Sequence, residues 1–134
     1  MRLTTSELLE KIRLGEDSSL EVKEVGLAGS RVMAPTRDSL ADELAAFANS
    51  RGGLVVLGVE DGESDVEGIP EPSLDLVETF VRDICNDSIR PPLIAYIEKR
   101  LLPNQRGTES AVIVIDIPRS LFVHESPGGY LHLI

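Results

Sequence analysis

Leu54-Val-Val-Leu-Gly-Val59 is a continuous apolar run with no polar side chain to offer to water on either side. It is too short for a buried helix and rich in Val, so it reads as a strand covered on both faces. Such a strand must lie inside a sheet that other elements shield, and the flanks supply those elements. Gly52–Gly53 lets the chain reverse tightly into the run, and Asp61–Gly62 turns it out again.

Thr4 and Glu7 form a Thr-x-x-Glu capping box ahead of Leu8, Leu9 and Ile12, which share one helical face that Gly15 ends. Leu20 to Val25 alternates apolar and charged residues as a half-buried strand does. Gly26 to Pro35 reads as a loop or a weak strand end, and Gly26 and Gly29 favour a turn there. Leu40, Leu44, Phe47 and Ala48 recur at helical spacing behind a cap at Thr36 or Asp38. Ser73 is the expected cap of a further helix with the stripe Leu74, Val77, Val81, Ile84 and Cys85. Leu93 to Ile97, Ala111 to Ile117 and Tyr130 to Ile134 are three more expected strands, the first two joined by a polar loop at Pro103 to Ser110.

The order α β α β α β β β predicts an α+β fold, a two-layer α/β sandwich with a mixed β-sheet covered by helices. The length of 134 residues suits a single domain over 1–134. The last expected strand runs to the final residue without turn or cap, as expected of the N-terminal part of a longer protein.

Composition narrows function more than fold. Thirteen basic against 23 acidic residues leave a formal net charge of -10. Such a chain cannot coat nucleic acid indiscriminately; contact with phosphate requires a local basic patch, a metal ion or another domain. Cys85 is the single cysteine, which excludes an intrachain disulfide and a cysteine-based zinc cluster. It sits on an apolar helical stripe, as a small core residue does. No secretory signal and no membrane-length apolar run is present, so a cytoplasmic protein is expected. A Walker-type loop is also absent, which argues against ATP hydrolysis by this segment.

Two constellations could carry chemistry. In Glu16-Asp-Ser-Ser-Leu-Glu21-Val-Lys23, Glu21 and Lys23 leave the same face of a strand, and Glu16 can fold back toward Glu21. With a third carboxylate these groups could hold a divalent ion and steady a phosphate; the same spacing also describes a solvated strand face. In Ala46-Phe-Ala-Asn49-Ser-Arg51-Gly-Gly53, Asn49 lies near a helix C-terminus, and Asp61 emerges at the far end of the buried strand. Helix-turn-strand packing with an ordinary Asp-Gly turn explains the same residues.

The string E-x4-E-x-K, then AFANSRGG, then an apolar strand ending GVEDG, then Pro118-Arg-Ser120 with His124 following, resembles the Schlafen-type AlbA-like domain over nearly the whole chain. The resemblance implies a DNA- or other nucleic-acid-binding domain, in bacteria often part of a transcriptional regulator. Members that act as ribonucleases use three acidic residues, which fall by motif on Glu16, Glu21 and Asp61. That trio would hold Mg²⁺ or Mn²⁺, with Lys23 at a phosphate oxygen. Lys23, Asn49, Arg51, Arg119, Ser120 and His124 are the candidate nucleic-acid contacts. The chain departs from the family pattern at Val22, where an aromatic residue is usual, and at Val123, where Pro is common. At His132 it lacks the usual Arg, and it ends at Ile134 before the usual glycine turn, which puts phosphate contact at that edge in question.

Three readings follow. The domain binds nucleic acid without chemistry, or it is a metal-dependent ribonuclease or endonuclease, or it is a protein-interaction or oligomerisation module whose acidic surface meets protein. A homo-oligomer, or pairing with a C-terminal domain, is expected in any of these, and no membrane association. No cofactor is implied beyond the nuclease's metal.

Overall fold

Both halves of the predicted capping box form: the Thr4 hydroxyl accepts the Glu7 N–H at 3.1 Å, and the Glu7 carboxylate accepts the Thr4 N–H at 2.9 Å. These bonds, the backbone one first, hold the Glu7 carboxyl below its ordinary value. They open helix α1 (Thr5–Leu14) in a computed structural model that describes residues 3–15, 17, 19–60 and 66–131. Gly15 ends the helix with φ 93, a backbone conformation that favours glycine.

The apolar run becomes β4 (Gly53–Leu57), an interior strand of a four-stranded sheet. Strand β1 (Leu20–Lys23) pairs with it in parallel, Leu20 opposite Leu54 and Lys23 opposite Leu57. On the other side β6 (Glu109–Ile117) runs antiparallel to β4, and β5 (Tyr96–Pro103) antiparallel to β6, giving the order β1-β4-β6-β5. The sheet is therefore mixed, as the α+β expectation requires.

Alternation along β4 sends its side chains into two cores. Val55 and Leu57 join Ile113, Ile115 and Ile117 beneath α2 (Arg37–Ala48) and α3 (Leu74–Asp83), which contribute Leu40, Leu44, Phe47, Val77 and Val81. Val56 faces the other way, with Leu20, Val22, Leu102, Val112 and Val114, onto Leu8 and Ile12 of α1. Two helices thus shield one face and a single helix the other.

Several local expectations are corrected. Gly26 to Pro35 is not a simple turn: β2 (Gly26–Ala28) and β3 (Arg31–Ala34) pair antiparallel around Gly29, whose φ is 60. Leu27 and Val32 pack against the larger core, and that contact turns a glycine-bearing segment into a hairpin. Ser73 stands at the N-terminus of α3 without a side-chain capping bond, because a 3-10 turn over Glu71–Ser73 leads in and Ser73 is itself helical. Strand β5 begins at Tyr96 rather than Leu93 and reaches Pro103. Leu93 is instead buried under α3, its N–H bonded to the Cys85 carbonyl at 2.9 Å. An edge strand needs only one apolar face, so the charged Glu-Lys-Arg stretch escapes a reading based on apolar runs. The loop shrinks to Asn104–Thr108, closed by the Asn104 side chain accepting the Arg106 and Thr108 N–H groups. Tyr130 and Leu131 are not in a strand, and the rest of that expected strand lies outside the described residues.

Cys85 is buried, as its stripe predicts. Burial pushes its thiol up from 9.0 to about 11, against a smaller opposite pull from Arg82. A raised thiol pKa favours the folded state while the proton is on; the contribution is whole below about pH 9 and fades as pH climbs toward 11. Near about pH 8 a thiol reagent is expected to label Cys85 rapidly in urea but only at the rate of opening in the native protein. Rapid native labelling would contradict this burial.

Candidate functional site

Glu21 and Lys23 alternate with buried Leu20 and Val22, so they face α2. There Lys23 Nζ lies 3.1 Å from Glu43 Oε1 and 3.5 Å from Glu21 Oε1. Burial opposes the lysine charge, but hydrogen bonding and attraction from Glu43 and Glu21 outweigh it and hold the pKa above the usual lysine value. Glu43 Oε2 is buried and has no hydrogen-bond partner among the described residues. The Gly58 and Val59 N–H groups both bond the Lys23 carbonyl, at 2.8 and 3.2 Å, so the exit from β4 crosses the end of β1. Glu16 and Asp61 lie outside the described residues. Among the described residues no three His, Cys, Asp or Glu side chains are grouped to hold a metal. Sequence reasoning missed Glu43, which flanks the apolar stripe of α2 and meets β1 only through tertiary packing.

The second constellation is an internal clamp. At the end of α2 the Asn49 amide donates to the carbonyls of His124 at 2.9 Å and Leu131 at 2.8 Å, while its oxygen accepts the His124 N–H at 2.7 Å. The His124 ring is 3% exposed, its Nδ1 lying 2.6 Å from the Pro91 carbonyl and its Nε2 2.7 Å from Ser120 Oγ. A carbonyl can only accept, so Nδ1 carries a proton and Nε2 faces the serine hydroxyl. Ser120 Oγ also accepts the Phe122 N–H at 3.1 Å, and the Ser120 N–H reaches the Ala48 carbonyl at 3.0 Å. Two turns earlier on α2, Asp42 accepts the Ser126 hydroxyl and the Gly128 N–H, each at 2.8 Å. Helix α2 therefore fastens the segment after β6 at two points.

The double glycine follows from close approach. A Cβ on Gly52, whose φ is 77, would sit 2.5 Å from the Ile117 carbonyl oxygen and 2.8 Å from the Arg119 nitrogen. One on Gly53 would meet the Phe47 ring at 2.6 Å. These contacts bring Arg51 beside the Pro118–Arg119 backbone. Arg51, Arg90 and Arg119 are exposed and enter no ion pair among the described residues. So are Arg31 and Arg106, elsewhere on the surface, whereas some bases are engaged: Lys99 with Asp75 and Glu78, Arg82 with Glu78, and Arg100 with the Leu3 carbonyl and the Thr5 hydroxyl. The bases thus divide into engaged members and exposed ones that enter no ion pair among the described residues.

Of the predicted residues, the structure brings Asn49, Ser120 and His124 into one network with Arg51 and Arg119 beside it. Glu21 and Lys23 stand apart from these on β1. A cavity of about 860 Å³ beside β5, lined by Val25, Leu27, Leu74, Lys99, Leu101 and Glu109 among others, takes in none of them.

Sheet and helices together form an α+β domain. The Schlafen, AlbA_2 family matches residues 16–131, nearly the whole length, and the chain belongs to that family. Membership supports nucleic-acid association as the coarse role of the domain. Among solved structures, the crystal structure of the DIP2311 protein from Corynebacterium diphtheriae is similar, with 21% identity and a TM-score of 0.55. The match covers 90% of this chain and 23% of that one, so the chain spans about a quarter of the length of that protein, and the likeness is one of fold. No curated protein matches. No helix among the described residues is long and apolar enough to cross a membrane.

Asn49→Ala removes the clamp and strands the backbone groups it satisfies. A loss of about 1–3 kcal/mol or more is expected in urea denaturation. A change within about 0.5 kcal/mol, the range of an ordinary surface substitution, would show that the amide is not holding the segment.

Proposed function

We propose that this chain is a nucleic-acid-binding domain, the DNA-binding part of a transcriptional-regulator-like protein, acting through the end of the sheet where Arg51 and Arg119 meet. The observation that carries the reading is the contact of Gly52 with the Ile117–Arg119 backbone. It brings the backbones of Arg51 and Arg119 together, both exposed and in no ion pair among the described residues, on a chain whose net charge is -10. Family membership supplies the class of ligand. In this reading Asn49, Ser120 and His124 act by positioning the segment that carries Arg119.

Each arginine that neutralises a phosphate adds about 0.9 to the slope of log affinity against log salt on duplex DNA. Binding of labelled DNA and RNA is therefore expected to weaken steeply between about 50 and 200 mM salt. Arg51→Ala with Arg119→Ala should lower both the affinity and the slope, the latter by about two. Affinity indifferent to salt and to both substitutions would turn attention to protein partners, the reading the acidic surface favours.

Metal-dependent cleavage is a second reading, supported by the orphaned Glu43 Oε2 beside Glu21 and Lys23. It requires Glu16, Glu21 and Asp61 to share Mg²⁺ or Mn²⁺, with Lys23 at a phosphate oxygen. A bound ion of this kind supplies an activated water. Under this reading labelled structured RNA or single-stranded DNA is cut only with the metal, and Glu21→Ala abolishes the cutting. Intact substrate with wild-type protein would leave binding alone.

A further inference from the structure

Pro118-Arg-Ser-Leu-Phe-Val-His places three apolar residues in a row, and none of them enters a core. Leu121 is 97% exposed, Phe122 69% and Val123 56%. A slack loop would be one explanation, but this loop is built. Ser120 is bonded through its N–H to Ala48, Phe122 through its N–H to Ser120 Oγ, and His124 through backbone and ring to Asn49, Pro91 and Ser120. The clamp buries His124 and leaves the three residues before it facing outward on a fixed support. Little ordering remains to be lost when they meet a ligand.

The surroundings narrow the ligand. Arg119 precedes the tip, Arg51 lies across the Gly52 contact, and Arg90 is joined backbone to backbone with Glu125 at 2.7 and 2.8 Å. An apolar, aromatic tip beside guanidinium groups that enter no ion pair among the described residues suits a polyanion that also offers flat apolar faces. Unpaired bases on a phosphate backbone have both; a duplex keeps its base faces stacked inside. We infer that Leu121–Phe122–Val123 is a base-contacting tip, with Phe122 stacking on an unpaired base, and that the domain prefers single-stranded to duplex nucleic acid. The inference rests on the nucleic-acid-binding reading and names its substrate class.

The test compares a labelled oligonucleotide of about 20 nucleotides with its duplex, titrated by anisotropy against the full chain. Wild type is expected to favour the single strand. Phe122→Ala should weaken single-strand binding about 5- to 100-fold and lower the ratio of the two affinities accordingly. Phe122 is largely exposed, so its replacement does not threaten the core. The chain contains no Trp, so Phe122→Trp adds a lone reporter; it should restore single-strand binding, with emission quenched as the base stacks. Salt-sensitive, Arg51-dependent binding in which Phe122→Ala leaves the ratio unchanged would overturn the tip while the function stands. Absence of salt-sensitive binding to either form would remove both. Self-association of the wild type, abolished by Phe122→Ala with the ratio unchanged, would make the tip a protein interface and overturn the inference.

Discussion

Burial of β4 on both faces is the constraint from which the rest of the architecture follows. Val55 and Leu57 require cover on one side and Val56 on the other, so the sheet cannot leave a face to water. The larger core takes α2 and α3, and α1 closes the smaller one with Leu8 and Ile12. Arg100 of β5 secures the start of α1 through the Leu3 carbonyl at 2.7 Å and the Thr5 hydroxyl at 3.0 Å. Entry into such a strand also has to be tight, and the glycines meet that need: Gly53 lies under the Phe47 ring and Gly52 against the end of β6.

That tight entry links architecture to function. Because Gly52 abuts the backbone at Pro118 and Arg119, the turn after α2 and the segment after β6 become one surface. The Asn49 amide then locks the second segment to the first, and the buried His124 ring ties that segment to the Pro91 carbonyl. Residues that look like ligand contacts when read singly work here as a frame, and the groups that the frame displays are Arg51, Arg119 and the tip at 121–123. The AFAN-x-x-GG and Pro-x-Ser…His landmarks are two halves of one device.

Charge is distributed to match. Lys23 is held between two carboxylates, and Lys99, Arg82 and Arg100 are engaged along β5 and α3. An acidic chain that engages part of its bases internally offers a polyanion the ones left over, Arg51 and Arg119 among them. This accounts for the coexistence of a net charge of -10 with membership of a nucleic-acid-associated family.

Sequence alone determined the elements whose signal is local. The capping box, the stripes of α1 and α2, the doubly buried strand and the core position of Cys85 depend on spacing within a few residues, where helical and strand periods act directly. It also carried the family landmarks in order. Tertiary structure alone decided who meets whom. The hairpin of β2 and β3 exists because Leu27 and Val32 find the larger core, and β5 because an edge strand can carry Glu98, Lys99 and Arg100 in its middle. Glu43 reaches Lys23 only because α2 crosses above β1, and Asn49 meets a histidine 75 residues away. Periodicity records which side of an element is apolar, whereas a hydrogen-bond partner at that separation depends on how the elements pack, which no local pattern records.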